Sequence, residues 1–267
     1  MGSTTAQPET TADLVRAAGR WAAGWWAIVH LGALLLVLAL SPSSYAQVNR
    51  RALARHLYLG TAPSLPSFVV LTTLLSLVVI RIVIVTALSY GLSQYALEMV
   101  VRVLVLELIP LTAALFAALR CTFPLAGQIA ALSDRRAGAR AAAADGHMLR
   151  RELLPRVAAG IFCALLLAAV SCVVTLVLAY LSVYGLTPAG FAVYTHTVGK
   201  VFGPDASLIF GLKIVLFGIA AALIPIATVL EAAPRRHGAW SVELKGLVRM
   251  FFVIVLIEAA ALIGNYA

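Results

Sequence analysis

Six apolar stretches leave this chain few ways to fold. They are Trp21–Ser41, Leu65–Ser89, Met99–Leu119, Val157–Val183, Ala206–Leu230 and Leu247–Gly264. A helix needs ~20 apolar residues to cross the hydrocarbon core of a bilayer, and each stretch is near or above that length. Backbone groups in lipid must be satisfied within a helix or a closed barrel. The stretches are continuous and lack the alternation of barrel strands, so the sequence predicts helices. With 62% hydrophobic and 12% charged residues, a chain this long has too little polar surface to be a soluble domain.

The net charge of +9 reads as topology, because the basic residues cluster. Arg50, Arg51 and Arg55 follow the first stretch. Arg135, Arg136, Arg140, Arg150, Arg151 and Arg156 surround the loop between the third and fourth. Arg235, Arg236, Lys245 and Arg249 lie between the fifth and sixth. The loops around Gly91 and Gly190 hold few basic residues beyond Arg102 and Lys200. The positive-inside rule places the three basic loops in the cytoplasm and the C-terminus outside.

The first stretch fits this alternation poorly. Arg16 and Arg20 precede it, Arg50 and Arg51 follow it, and Trp21, Trp25 and Trp26 open it. Basic residues on both flanks and an interfacial tryptophan cluster favour a helix in the inner interface. A sixth span and a cleaved signal peptide ending near Ser44-Tyr45-Ala46 are the alternatives. The expected fold is an all-α integral membrane protein. It has a polar disordered tail over residues 1–15, an interfacial region over 16–60 and a five-helix transmembrane domain over 61–267. Within RRAGARAAAADGH (135–147) the composition predicts a short cytoplasmic helix with basic side chains. The outer segment Tyr184–Asp205, rich in Gly and Pro, is expected to be irregular.

The chemistry-bearing residues are few. Cys121, Cys163 and Cys172 lie in or beside apolar stretches and read as small hydrophobes. His30 and His196 have no metal-ligand partner at helical spacing. No nucleophile, base and orienter can be assembled, so no catalytic residues are expected. There is no Gly-rich phosphate loop, so any ATP would bind another chain.

Charges inside the apolar stretches are the informative exceptions. Arg81 is twelve residues before the turn near Ser93 and Glu107 fourteen after it. At ~1.5 Å per residue, an antiparallel pair brings them to similar depth. Unpaired, each would cost a few kcal/mol or more. The sequence therefore predicts that they pair or share a wet cavity, as a structural ion pair or as the lining of a substrate path. Pro110, three residues after Glu107, loosens the helix there. Lys213 and Glu258 are a candidate outer polar pair, although their depths measured from the connecting loop match less well. Glu98 and Arg102 are spaced for an i,i+4 ion pair.

These residues also carry a likeness. The chain resembles the MlaE/YrbE-type permeases of lipid-transporting ABC systems that work with mammalian-cell-entry (MCE) domain proteins. The family motif E-L-G-P, followed by an apolar run to A-G-R and later by L-V-x-P-R, is matched by Glu107, Leu108 and Pro110, by Arg120, and by Pro155 and Arg156. Tyr90-Gly91 resembles the Y/F-G ending the first span. Asp205, Lys213, Phe217 and Gly218 resemble a D…K…FG stretch. The likeness covers roughly residues 50–265. Ile109 and Leu119 replace motif glycines, Gln128 replaces a glutamate, the coupling segment is basic rather than acidic, and Gly-Val-Gly is missing around His237–Val242.

The resemblance implies a permease subunit, one of two copies, with an interfacial helix and five spans. It would sit in a bacterial inner membrane with its C-terminus in the periplasm. Cytoplasmic ATPase subunits, which would bind the ATP and magnesium, would dock on the coupling segment (121–151). An MCE assembly would cover the outer face, and phospholipid or a similar hydrophobic molecule would pass through a cavity. Nucleic acid is not an expected partner, and no cofactor or metal is expected on this chain. On this reading Arg81, Tyr90, Glu107 and Pro110 line the cavity. Asp134, Arg135, Arg136 and Arg140 meet the ATPase, while Arg120, Pro155 and Arg156 hold the cytoplasmic mouth. The rival readings are a degenerate permease anchoring an MCE complex, and a non-ABC carrier, channel or membrane enzyme.

Overall fold

The computed structural model describes residues 11–40, 58, 61–92, 95–124, 153–232 and 239–266. Among them the secondary structure is helical, with no strand. The helices are α1 (Thr11–Leu40), α2 (Leu65–Ser89), α3 (residues 96–122), α4 (Leu154–Tyr184), α5 (Phe191–Val201), α6 (Pro204–Ala232) and α7 (Ala239–Tyr266). Five segments are long and apolar enough to cross a membrane: Leu65–Ser89, Ala96–Arg120, Leu154–Tyr184, Pro204–Leu230 and Leu244–Gly264. In α1 the apolar part is the shorter Ala22–Leu35.

Helix boundaries follow from local chemistry. Pro66, Pro155 and Pro204 stand within the first two positions of α2, α4 and α6, where a missing N–H costs nothing. Helices α2 and α4 end at Gly91 and Gly185, whose φ values of 70° and 66° suit glycine alone among common residues. Two expectations are corrected. Helix α1 begins at Thr11, inside the expected disordered tail. The segment after α4, expected to be irregular, is not: it holds a 3₁₀ turn, Pro188–Gly190, and the helix α5. Its glycines and prolines gather largely at its ends, which leaves FAVYTHTV free to wind.

Helix α2 shows how the bundle is built for lipid. Phe68, Thr72, Ser76 and Ile80, spaced four apart, are buried, whereas Val70, Leu74, Val78 and Ile82 are exposed. Lipid solvates Leu and Val, so the drive to associate comes from packing and interhelical hydrogen bonds. Accordingly Ser76 Oγ and Thr175 Oγ1 of α4 lie 2.8 Å apart, and Ser171 Oγ donates to Thr72 Oγ1 at 3.4 Å.

Small residues let the other helices approach. A Cβ on Gly160 of α4 would stand 3.0 Å from Ala222 Cβ and 3.2 Å from Thr122 Oγ1. A Cβ on Gly246 of α7 would stand 2.7 Å from Thr228 Oγ1 on α6. Helix α1 packs Ile28, Leu31 and Leu35 into the cluster formed by α6 and α7, including Phe217, Ala221, Met250 and Ile254. Gly24 leaves room there for the Arg249 guanidinium, and Trp25 meets Phe252 edge-on at 6.3 Å.

Helix α3 departs from regular geometry. It runs through a short α-helical start (Ala96–Met99), a π-helical stretch (Val100–Leu108), an α-helical stretch (Ile109–Ala117) and a second π-helical turn (Ala118–Thr122). A π turn shifts the backbone pairing by one residue, and such turns gather at functional sites.

Candidate functional site: a buried lysine between two glutamates

The first π-helical stretch of α3 ends beside Pro110. Proline has no N–H, so this part of α3 lacks one backbone donor for the carbonyls of the preceding turn. A carbonyl left bare in an apolar interior needs a partner. Lys213 of α6 supplies it: Nζ donates to Leu106 O at 3.1 Å. The same ammonium donates to Glu107 Oε2. Glu258 of α7 approaches from a third helix, with Oε2 2.8 Å from Nζ. That oxygen lies off the hydrogen-bond direction, so its attraction to the ammonium is Coulombic. Below the lysine, the Phe217 ring stands 5.8 Å from Nζ, within cation–π range. Lys213 is only 3% exposed, and the two glutamates are partly buried.

The three charges share one depth. Glu107 is eleven residues from the start of α3, Lys213 nine from the start of α6, and Glu258 eight from the end of α7. At ~1.5 Å per residue all lie roughly 12–17 Å inside one end of the bundle. Beside them is a small notch of about 10 Å³, room for roughly one water, bounded by Glu107 and Lys213 and walled by Leu106, Ile209, Phe210 and Ala261.

The expected pairing of Arg81 with Glu107 is corrected. Arg81 is exposed on the outside of α2 and makes no ion pair among the described residues. The residue count matched the depth but not the rotation about the helix axes. Ile80 turns inward against Val100, Leu104 and Ala179, which points Arg81 about 100° away, whereas Glu107 faces α6. Tyr90 is likewise absent from the notch, standing 77% exposed at the end of α2. Pro110 is buried in α3. Lys213 and Glu258 come together at 2.8 Å, although depths counted from their connecting loop matched less well. Counted from the opposite ends of α6 and α7 they agree.

At the other end of the bundle, the last turn of α3 packs on α4. Arg120 is exposed there, Pro155 is buried and Arg156 is half-buried. Asp134, Arg135, Arg136 and Arg140 lie outside the described residues. Glu98 and Arg102 lie 3.6 Å apart as an i,i+4 pair. Among the described residues no three His, Cys, Asp or Glu side chains gather as a metal site.

The end of the bundle that holds α5 carries an aromatic cluster. Tyr194 donates to Leu176 O at 2.7 Å, and its ring lies 5.2 Å from Tyr180 and 6.4 Å from Tyr184. Burial, and secondarily Cys172, push the Tyr194 hydroxyl up to about 12, so it remains a donor at ordinary pH.

A sequence model of the family described as Permease MlaE matches residues 53–263, most of the chain. No curated protein matches it.

Proposed function

The chain belongs to the MlaE permease family, and from that premise we propose that it moves phospholipids or similar hydrophobic molecules between the inner membrane and a periplasmic MCE partner. It is a multi-pass membrane permease subunit and not itself an enzyme. On the proposed reading, a separate cytoplasmic ATPase supplies the energy and binds the nucleotide. A second permease copy completes the cavity, and the C-terminus faces the periplasm.

The observation that carries the reading is the Glu107–Lys213–Glu258 cluster beside an open notch. Charges at this depth are expensive, and they concentrate where a membrane protein handles substrate. The cluster ties α3, α6 and α7 through one ammonium, so relative movement of these helices must break or remake ion pairs. A lipid path that opens and closes needs such a discrete contact. The basic segment around Asp134, Arg135, Arg136 and Arg140 is the proposed ATPase contact, with Arg120, Pro155 and Arg156 at the cytoplasmic mouth.

The test is assembly. Co-expression with the organism's ABC ATPase and MCE-domain protein should give a complex whose ATP hydrolysis exceeds that of the ATPase alone. Charge reversal at Arg135, Arg136 and Arg140 should weaken ATPase co-purification. A complex that forms without stimulating hydrolysis would instead favour a membrane anchor. Transport driven by an ion gradient with no ATPase present would favour a carrier.

A further inference from the structure

We propose that the α2 face bearing Arg81 docks on the α7 face bearing Glu258 of a second copy of this chain, so that each Arg81 pairs with the other copy's Glu258. This rests on the permease reading, which calls for a second copy, and adds which faces meet.

The first argument is an unmet cation. Arg81 is exposed within the span of α2 and makes no ion pair among the described residues. An arginine among acyl chains costs a few kcal/mol or more. The nearer end of α2 is its C-terminus, eight residues away, or ~12 Å. Helical side chains lean towards the N-terminus, so Arg81 leans away from the nearer headgroups. A lipid phosphate is therefore a poor partner at this depth, and a carboxylate on a neighbouring helix is a good one.

The second argument is charge balance at one depth. The Glu107–Lys213–Glu258 cluster holds two carboxylates and one ammonium, so it carries one negative charge in excess. Arg102 does not offset it, being taken by Glu98. Arg81 is the positive charge that would. Glu258 stands eight residues before the end of α7, as Arg81 stands eight before the end of α2. These helices are the first and fifth of five spans, so they run the same way across the membrane. A two-fold axis along the membrane normal keeps depth unchanged, and each Arg81 then meets the partner copy's carboxylate at its own level. The contact is isologous, with the ion pair made twice.

The third argument is access. Helix α2 packs on α3 and α4, and α7 chiefly on α6, so one copy does not bring Arg81 and Glu258 together. The Glu258 side chain is 19% exposed, and its Oε2 accepts no hydrogen bond. Beside it Ala259, Ala260 and Gly264 are exposed, and small residues let a second helix come close.

The test uses two differently tagged full-length copies, co-expressed with Cys121, Cys163 and Cys172 replaced by alanine. One copy carries V78C and the other V255C. Val78 and Val255 are exposed and precede Arg81 and Glu258 by three residues, so both charges stay in place. A thiol-to-thiol reagent spanning ~10 Å, roughly the spacing of packed helices, should join the two tags in membranes. Separately, R81M should elute monodisperse yet lower co-purification of the two tags at least ten-fold, the effect of about 1.4 kcal/mol. R81E and E258R should each fail to associate with themselves, whereas R81E co-expressed with E258R should associate, because both pairs are again of opposite sign. Copies that co-purify without any V78C–V255C product overturn the inference and leave the permease reading standing. R81M that co-purifies as wild type does, or folded R81E and E258R that do not rescue each other, overturn it too. Copies that never co-purify, even with the ATPase present, count against both. Should E258R not fold, the cross-link and R81M decide it.

Discussion

Replacing Lys213 with methionine should damage this protein far more than neutralising either of its glutamates. The asymmetry follows from the count of charges. K213M leaves Glu107 and Glu258 close together without their shared cation, and it strips the Leu106 carbonyl of its donor. Removing one partner of a buried ion pair costs ~3–5 kcal/mol. An orphaned buried carbonyl adds ~1–3 kcal/mol. The sum, about 4–8 kcal/mol, is a large share of the ~5–15 kcal/mol that holds a typical domain folded. E107Q or E258Q instead leaves one ammonium facing one carboxylate, and each should cost about 1 kcal/mol. The assay is denaturant unfolding in mixed micelles, followed by helical circular dichroism at fixed pH and salt. The triple variant E107Q/K213M/E258Q should recover most of the loss, since no unpaired charge remains. A K213M loss within about 1 kcal/mol of the single glutamine variants would refute the argument.

Other outcomes follow from the packing. G160L should lower the yield of folded protein and cost at least ~1–3 kcal/mol, because even a Cβ at that position meets Ala222 at 3.0 Å; unchanged thermal unfolding would contradict this. S76A strands the Thr175 hydroxyl and should cost ~0.5–1.5 kcal/mol, while S76A/T175V should cost less than the two single changes summed. Unfolding of the double variant would check that coupling. Tyr194 has its folded-state value raised from 10.0 to about 12, so the stability it contributes is fully present below pH 10 and lost as the pH rises through 12. Wild type should lose stability over that window relative to Y194F, and parallel pH profiles would count against the assignment.

The span count was legible in the sequence because a membrane sets helix length and hydrophobicity together. Five of the six apolar stretches carry the spanning helices, and the match to the family over residues 53–263 falls close to the range of the likeness in the motifs. The pairing of Glu98 with Arg102 was legible because it is local. Of the long-range pairings, Lys213 with Glu258 was named from the sequence, whereas Glu107 with Lys213 was not. Residue counting fixes depth along a helix but not rotation about it, which is why Arg81 was matched to Glu107 and yet points outward. Nor does adjacency in sequence set adjacency in space: Glu107 reaches α6, with α4 intervening in the chain. One signal was present. Pro110 bares a carbonyl in mid-span, and a lysine at equal depth on another helix is a donor able to cover it. The two π-helical stretches of α3 left no comparable mark, since their residues are ordinary helix formers. Helix α5 was hidden by the glycines and prolines that flank it.

The central claim is that Glu107, Lys213 and Glu258 form the working polar centre of a lipid permease. The direct measurement is ATP-driven transfer of labelled lipid out of proteoliposomes containing the permease with the proposed ATPase and MCE partners. E107Q should assemble and bind the ATPase as wild type does, yet transfer lipid at least ten-fold more slowly, the effect of about 1.4 kcal/mol on the limiting step. Transfer by assembled E107Q at the wild-type rate would contradict the account.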